Sequence, residues 1–221
     1  MKLQTNLPRR ATWLALALAV PVPAFAHPHV YAEARLEVAV DSKGGVEALR
    51  HVWRFDDLFS STVLLEFDAN ADLKLDDAEL REVGSTVHAS LAEFGYFQLV
   101  SADGKDVAMR PPAEIVAMFQ DNSLLILFES QPVEPLPLTG TVSFGVYDPT
   151  FYTAIDFLED DNMVVMDLPD ACARTVVRPD PDQAIAQNQD TLTEDFFNDP
   201  GGNDTSKLFA TRLELTCQAQ G

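Results

Sequence analysis

From Val30 to Val40 the apolar residues Val30, Ala32, Ala34, Leu36, Val38 and Val40 alternate with Tyr31, Glu33, Arg35 and Glu37. A period of two sends successive side chains to opposite faces, so this stretch predicts a half-buried strand. The turn at 42–45 leads into a second strand over Val46–Phe55, which makes a hairpin. The period then changes. Asp57–Phe67 and 76–94 carry helical spacing, with Leu80, Val83, Val87 and Leu91 forming one apolar stripe. Beyond Gly95, Pro, Asp and Gly punctuate short apolar runs at 96–101, 105–109, 114–119, 124–129, 141–146, 151–157, 163–168 and 173–177. A last strand is predicted over 208–216. The pattern gives an α+β fold, a mainly antiparallel, sandwich-like β domain with a helix–loop–helix inserted at about 57–94.

Two segments fall outside that domain. Lys2, Arg9 and Arg10 precede an apolar run over 11–22, and Ala24, Phe25 and Ala26 supply small residues before a cut. That is the pattern of a secretory signal peptide over 1–26, too short for a retained membrane helix. The segment 179–206 contains no Lys or Arg and many Asp, Asn, Gln and Gly, so it reads as an acidic surface excursion with a helical turn or more around 184–197. The remaining domain spans 27–178 and 207–221. Its location is periplasmic on this reading, and the processed chain has no further apolar run able to insert stably in a membrane.

Removing the leader takes away three of the 15 basic residues and none of the 35 acidic ones, which moves the net charge from −20 to −23. Such a surface repels nucleic acid and anionic membrane and concentrates cations. Cys172 and Cys217 both lie in the exported part, where one disulfide is the default. It closes a loop of 45 residues, worth about 4 kcal/mol on the chain-entropy model.

Candidate chemistry concentrates in two places. The first is 68–79, between the predicted helices. Calcium takes six to eight oxygens, and an EF-hand loop supplies them at its positions 1, 3, 5, 7, 9 and 12. Counted from Asp68, these are Asp68, Asn70, Asp72, the Lys74 carbonyl, Asp76 and Glu79. The stretch resembles an EF-hand loop, with Leu75 at the apolar eighth position. It departs at the sixth, where Gly is usual and Leu73 stands. A side chain there strains a left-handed backbone by about 1–2 kcal/mol. Both readings stand at this point: a weak calcium loop, or an acidic turn between helices.

The second place is the start of the processed chain, His27-Pro28-His29. A free α-amine and two imidazoles are nitrogen donors, which suit Zn, Ni, Co or Cu more than calcium. Pro28 lacks the amide N–H that a square-planar amino-terminal site requires. What remains is an amine–imidazole chelate, or an open site completed by carboxylates from Asp56 or Asp148 and by His51. The bland alternatives are a polar chain start, turn or cap roles for Asp56 and Asp148, and a cross-strand role for His51. No nucleophile elbow, phosphate loop, dinucleotide fingerprint or zinc-protease helix is present, and nothing singles out a catalytic residue.

The A-F-A leader end, H-P-H-V-Y, W-R-F-D-D-L-F-S, the acidic loop, F-G-Y-F, V-Y-D-P-T-F-Y and L-F-A-T-R-L-E-L-T-C together resemble a family of exported bacterial proteins. That family is commonly labelled the periplasmic component of an ABC-type transport system and is associated with nickel/cobalt-type exporters or permeases. The resemblance implies a metal-binding accessory role beside an inner-membrane metal permease. Two other classes stay open: a copper oxidase or oxygenase with an N-terminal histidine brace, and a calcium-stabilised adaptor without transition-metal chemistry.

Overall fold

A computed structural model describes residues 28–190, 192 and 205–218. The leader at 1–26 and His27 lie outside the described residues. The first strand, β1 (Val30–Val40), is the hub of a six-stranded sheet. It pairs antiparallel with β2 (Val46–Phe55), as the alternation predicts. The chain then leaves the sheet through α1 (Asp57–Phe67) and α2 (Asp77–Leu91). A 3-10 segment, Ala92–Phe97, brings it back to β3 (Gln98–Ala102). The strands β4 (Lys105–Asp106), β5 (Val116–Gln120), β6 (Ser123–Ser130), β7 (Gly140–Val146), β8 (Thr153–Asp156), β9 (Met163–Met166), β10 (Cys172–Val177) and β11 (Arg212–Cys217) follow.

These strands form two sheets. One has the order β5-β6-β2-β1-β8, with β9 also on β1; the other is β10-β11-β7-β3-β4. Their inner faces share one core, which joins Leu36, Trp53 and Ile126 of the first sheet to Phe144, Leu213 and Leu215 of the second. The α+β sandwich with a helical insertion is therefore the observed fold. Its antiparallel rule has a local exception: β8 and β9 lie parallel to β1, end to end along one edge. The disulfide joins Cys172 to Cys217, which are register partners of β10 and β11.

Local chemistry fixes the insertion. Asp56 caps α1 by accepting from the Phe59 N–H at 2.9 Å. Ser60, fully buried, accepts from the Leu124 N–H at 2.9 Å and so ties α1 to β6. Asp76 caps α2 in a capping box with Glu79. α2 then lies close against β5: a Cβ at Gly84 would stand 2.3 Å from the Ile115 carbonyl oxygen, so only glycine permits the contact. His88 adds a bond of 2.9 Å between Nε2 and the Pro112 carbonyl. A sheet edge covered in this way is protected from pairing with other chains.

Three of the boundaries that differ from the sequence expectation have a clear local cause. Gly95, Tyr96 and Phe97 all have φ near +58°, so the predicted strand start at 96 is a left-handed turn and β3 begins at Gln98. Burial of both aromatic rings offsets the strain of these two side-chain-bearing residues. The last strand begins at Arg212, because Ser206–Phe209 is a 3-10 turn. Within the acidic excursion, the helix α3 is Pro181–Gln187, earlier than expected, with Asp180 as its cap and Pro181 in its first turn.

Candidate metal sites

The loop 68–79 joins the C-cap of α1, Asp68, to the N-terminal turn of α2. Leu73 has φ 62°, so the sixth position adopts the left-handed backbone despite its side chain, which stays exposed. The loop's oxygens are held by its own amides. Asp68 accepts from the Asp72 N–H at 3.1 Å and the Leu73 N–H at 2.7 Å. Asn70 accepts from the Asp72 N–H and Asp72 from the Lys74 N–H, each at 2.9 Å. Glu79 is buried, and its two carboxylate oxygens accept from Ala69 at 2.9 Å and Asp76 at 2.8 Å, one amide at each end of the loop. Backbone N–H groups of Glu79 and Ala78 hold the Asp76 carboxyl below its ordinary pKa.

This donor set is all oxygen and suits a hard cation. Among the described residues, however, no group of three or more His, Cys, Asp or Glu side chains converges on a point where a metal ion would sit. The Glu79 carboxylate accounts for part of that: a cation at the loop must compete with two backbone N–H groups for it.

The start of β1 is a different kind of place. The His29 N–H donates to the Tyr152 carbonyl at 2.9 Å, and the two rings stand 5.0 Å apart. Tyr31 donates to Asp56 Oδ2 at 2.8 Å, while Asp56 N returns a bond of 2.9 Å to the Tyr31 carbonyl. Asp148, buried, accepts from the Thr150 N–H and hydroxyl at 2.7 Å each and from the Thr153 N–H at 2.8 Å. The structure thus brings His29, Asp56 and Asp148 to one seam, and it engages both oxygens of each carboxylate in shaping that seam. His29 is exposed on the outer face with Tyr31 and Glu33, as the alternation predicts.

His51 goes elsewhere. It is the register partner of Leu36, on the inner face of the sheet, whereas His29 is on the outer face. Fully buried and stacked on Phe128 at 4.4 Å, it is separated from the chain start by the sheet itself. Neither ring nitrogen has a hydrogen-bond partner of good geometry. Burial drives its pKa down to about 3, and the neighbouring Gln98 side chain offsets only a little of that shift. The neutral imidazole is a core residue, stacked on Phe128 with Trp53 edge-on beside it.

The described residues contain no helix long and apolar enough to cross a membrane. Sequence spacing gave no sign of the apolar cavity that lies between the insertion and the first sheet. Its walls come from five separate chain segments, and periodicity reports only one segment at a time. A family model matches residues 12–217, nearly the whole chain. No curated protein matches the chain significantly.

Proposed function

The chain belongs to the family described as "Protein of unknown function (DUF1007)", and from that premise we propose that it is a periplasmic metal-binding accessory protein whose 68–79 loop takes calcium. The observation that carries this reading is Leu73 at φ 62°. The loop takes left-handed backbone at Ala71 and again at Leu73, the sixth position where an EF-hand turn needs it, and that turn keeps Asp68, Asn70 and Asp72 oxygens over loop amides. When bound, the ion takes oxygens from Asp68, Asn70, Asp72, Asp76 and Glu79 and the Lys74 carbonyl, and it joins the two helix ends electrostatically.

The transition-metal part of the reading rests on His27 and His29 at the processed terminus, with Zn, Ni, Co or Cu as the ion. The tie between His29 and Tyr152 favours it, since it fixes the start of β1 and leaves an exposed imidazole there. The resemblance to periplasmic components of nickel/cobalt-type transport systems supplies the partner, an inner-membrane metal permease. Asp56 and Asp148 serve this terminus as scaffold, and His51 takes no part. The copper oxidase or oxygenase has no observation of its own in its favour, and the calcium-stabilised adaptor shares the 68–79 loop but leaves the histidines at the chain start without a role.

Metal analysis of protein purified from the periplasm tests both parts. Calcium together with one transition metal supports the reading. The transition metal should disappear when one residue is added ahead of His27, which removes the α-amine from reach. Protein free of both ions, with no uptake of either on titration, overturns it.

A further inference from the structure

The cavity between the insertion and the first sheet encloses about 430 Å³, within the range of small-molecule sites. Its floor is Trp53, Leu124 and Ile126, all buried. α1 contributes Phe59, Val63 and Phe67, and α2 contributes Val83, Val87 and Leu91. The residues at its mouth are exposed: Thr62 and Glu66 on α1, Thr86 and Ser90 on α2, and Tyr152. Phe55, Phe59, Phe67 and Phe94 pack on the core yet stay only partly buried, so protein alone leaves their rings incompletely covered.

The charge around this cavity has one sign. Its charged lining residues are Glu66 and Asp148, and no described lysine or arginine lines it. Asp148 already accepts three hydrogen bonds from Thr150 and Thr153, whereas Glu66 stands exposed at the mouth. An anionic head there would meet a carboxylate on a protein of net charge −20. We propose that the cavity binds an amphiphilic cation, an apolar chain or ring seated on the Trp53 floor with an alkylammonium head between Glu66 and the Tyr152 ring. Aromatic faces attract such a head, and the carboxylate adds charge complementarity. The proposal requires neither metal to be bound, although Tyr152 and Asp148 also belong to the seam at the start of β1.

The test uses the chain beginning at His27, in which Trp53 is the single tryptophan because Trp13 precedes the cut. Decyltrimethylammonium, decanol and decanoate are titrated below their micelle concentrations while Trp53 fluorescence is followed. The cation should bind saturably, decanol about tenfold more weakly and decanoate about a hundredfold more weakly. Glu66→Gln should bring the cation within about threefold of decanol and leave decanol unchanged. Thr86→Phe, a plug at an exposed position, should abolish all three responses with the melting temperature retained; Ser90→Phe serves as the second plug if Thr86→Phe fails to fold. Equal affinity for the three probes overturns the cationic preference. Cation binding that survives a folded plug variant means general attraction to an acidic surface, and the absence of any response overturns the site.

Discussion

The insertion and the sandwich both carry polar side chains that look like metal ligands in sequence, and the fold uses them in opposite ways. In the sandwich, Asp148 accepts three hydrogen bonds that shape the turn before β8, Asp56 ties β1 to α1, and His51 lies neutral in the core. These groups are committed to folding. In the loop 68–79, the acceptors are satisfied by amides a few residues away, at an exposed surface. Local spacing alone arranges them. Backbone N–H groups engage the carboxylates in both places; in the loop those donors lie within the same twelve residues, whereas Asp56 and Asp148 are engaged across separate elements.

The comparison is broken most forcefully with acid. His51 is neutral in the folded chain with a pKa near 3, against about 6.5 when exposed. The unfolded chain therefore binds more protons between those values. Stability from this group is complete above about pH 6.5 and is lost as pH falls toward 3. The loss reaches the order of 4 kcal/mol. His51→Phe should flatten that part of a denaturation profile, and an unchanged acid limb in the variant would show that another group controls it.

Asp148→Ala comes next. It removes the acceptor of the Thr150 and Thr153 amides in a half-buried turn, so chemical denaturation should report a loss of about 2 kcal/mol, equal with and without calcium. Glu79→Gln is milder, about 1 kcal/mol in chelator, since one oxygen still accepts from an amide. Unlike Asp148→Ala, it should erase any rise in melting temperature caused by calcium. The smallest effect belongs to Leu73→Gly. It relieves about 1–2 kcal/mol of left-handed strain but raises the entropy of the unfolded chain, so net stability changes by less than about 1 kcal/mol. Calcium affinity, read by calorimetric titration, should change by less than about threefold, because the loop already has the left-handed backbone at Leu73 before an ion binds.

The fold was largely legible. The alternation of Val30–Val40 and Val46–Phe55 placed both strands to the residue, and Asp57–Phe67 likewise. Helix and strand follow from local periods, and the observed Cys172–Cys217 bond is the pairing expected of the chain's two cysteines. What was not legible depends on tertiary contact. Tyr96 and Phe97 take left-handed backbone because their rings are wanted in the core. Nothing in the run at 163–168 says that β9 will lie parallel to β1. His51 sits on an alternating strand, but which face turns inward, and hence its separation from His29, emerges only with the register against Leu36. Gly84 could have been noticed as a small residue in the stripe side of α2, though not its approach to the Ile115 carbonyl.

The proposed function requires the loop to respond to calcium and the sandwich to be indifferent to it. Thermal unfolding of the chain from His27, in chelator and in millimolar calcium, measures this directly when Glu79→Gln and Asp148→Ala are run beside the parent. The account predicts that calcium raises the melting temperature of the parent by several degrees. It predicts the same rise in Asp148→Ala from a lower starting point, and none in Glu79→Gln. A parent unmoved by calcium, or a Glu79→Gln variant that responds like the parent, would contradict it.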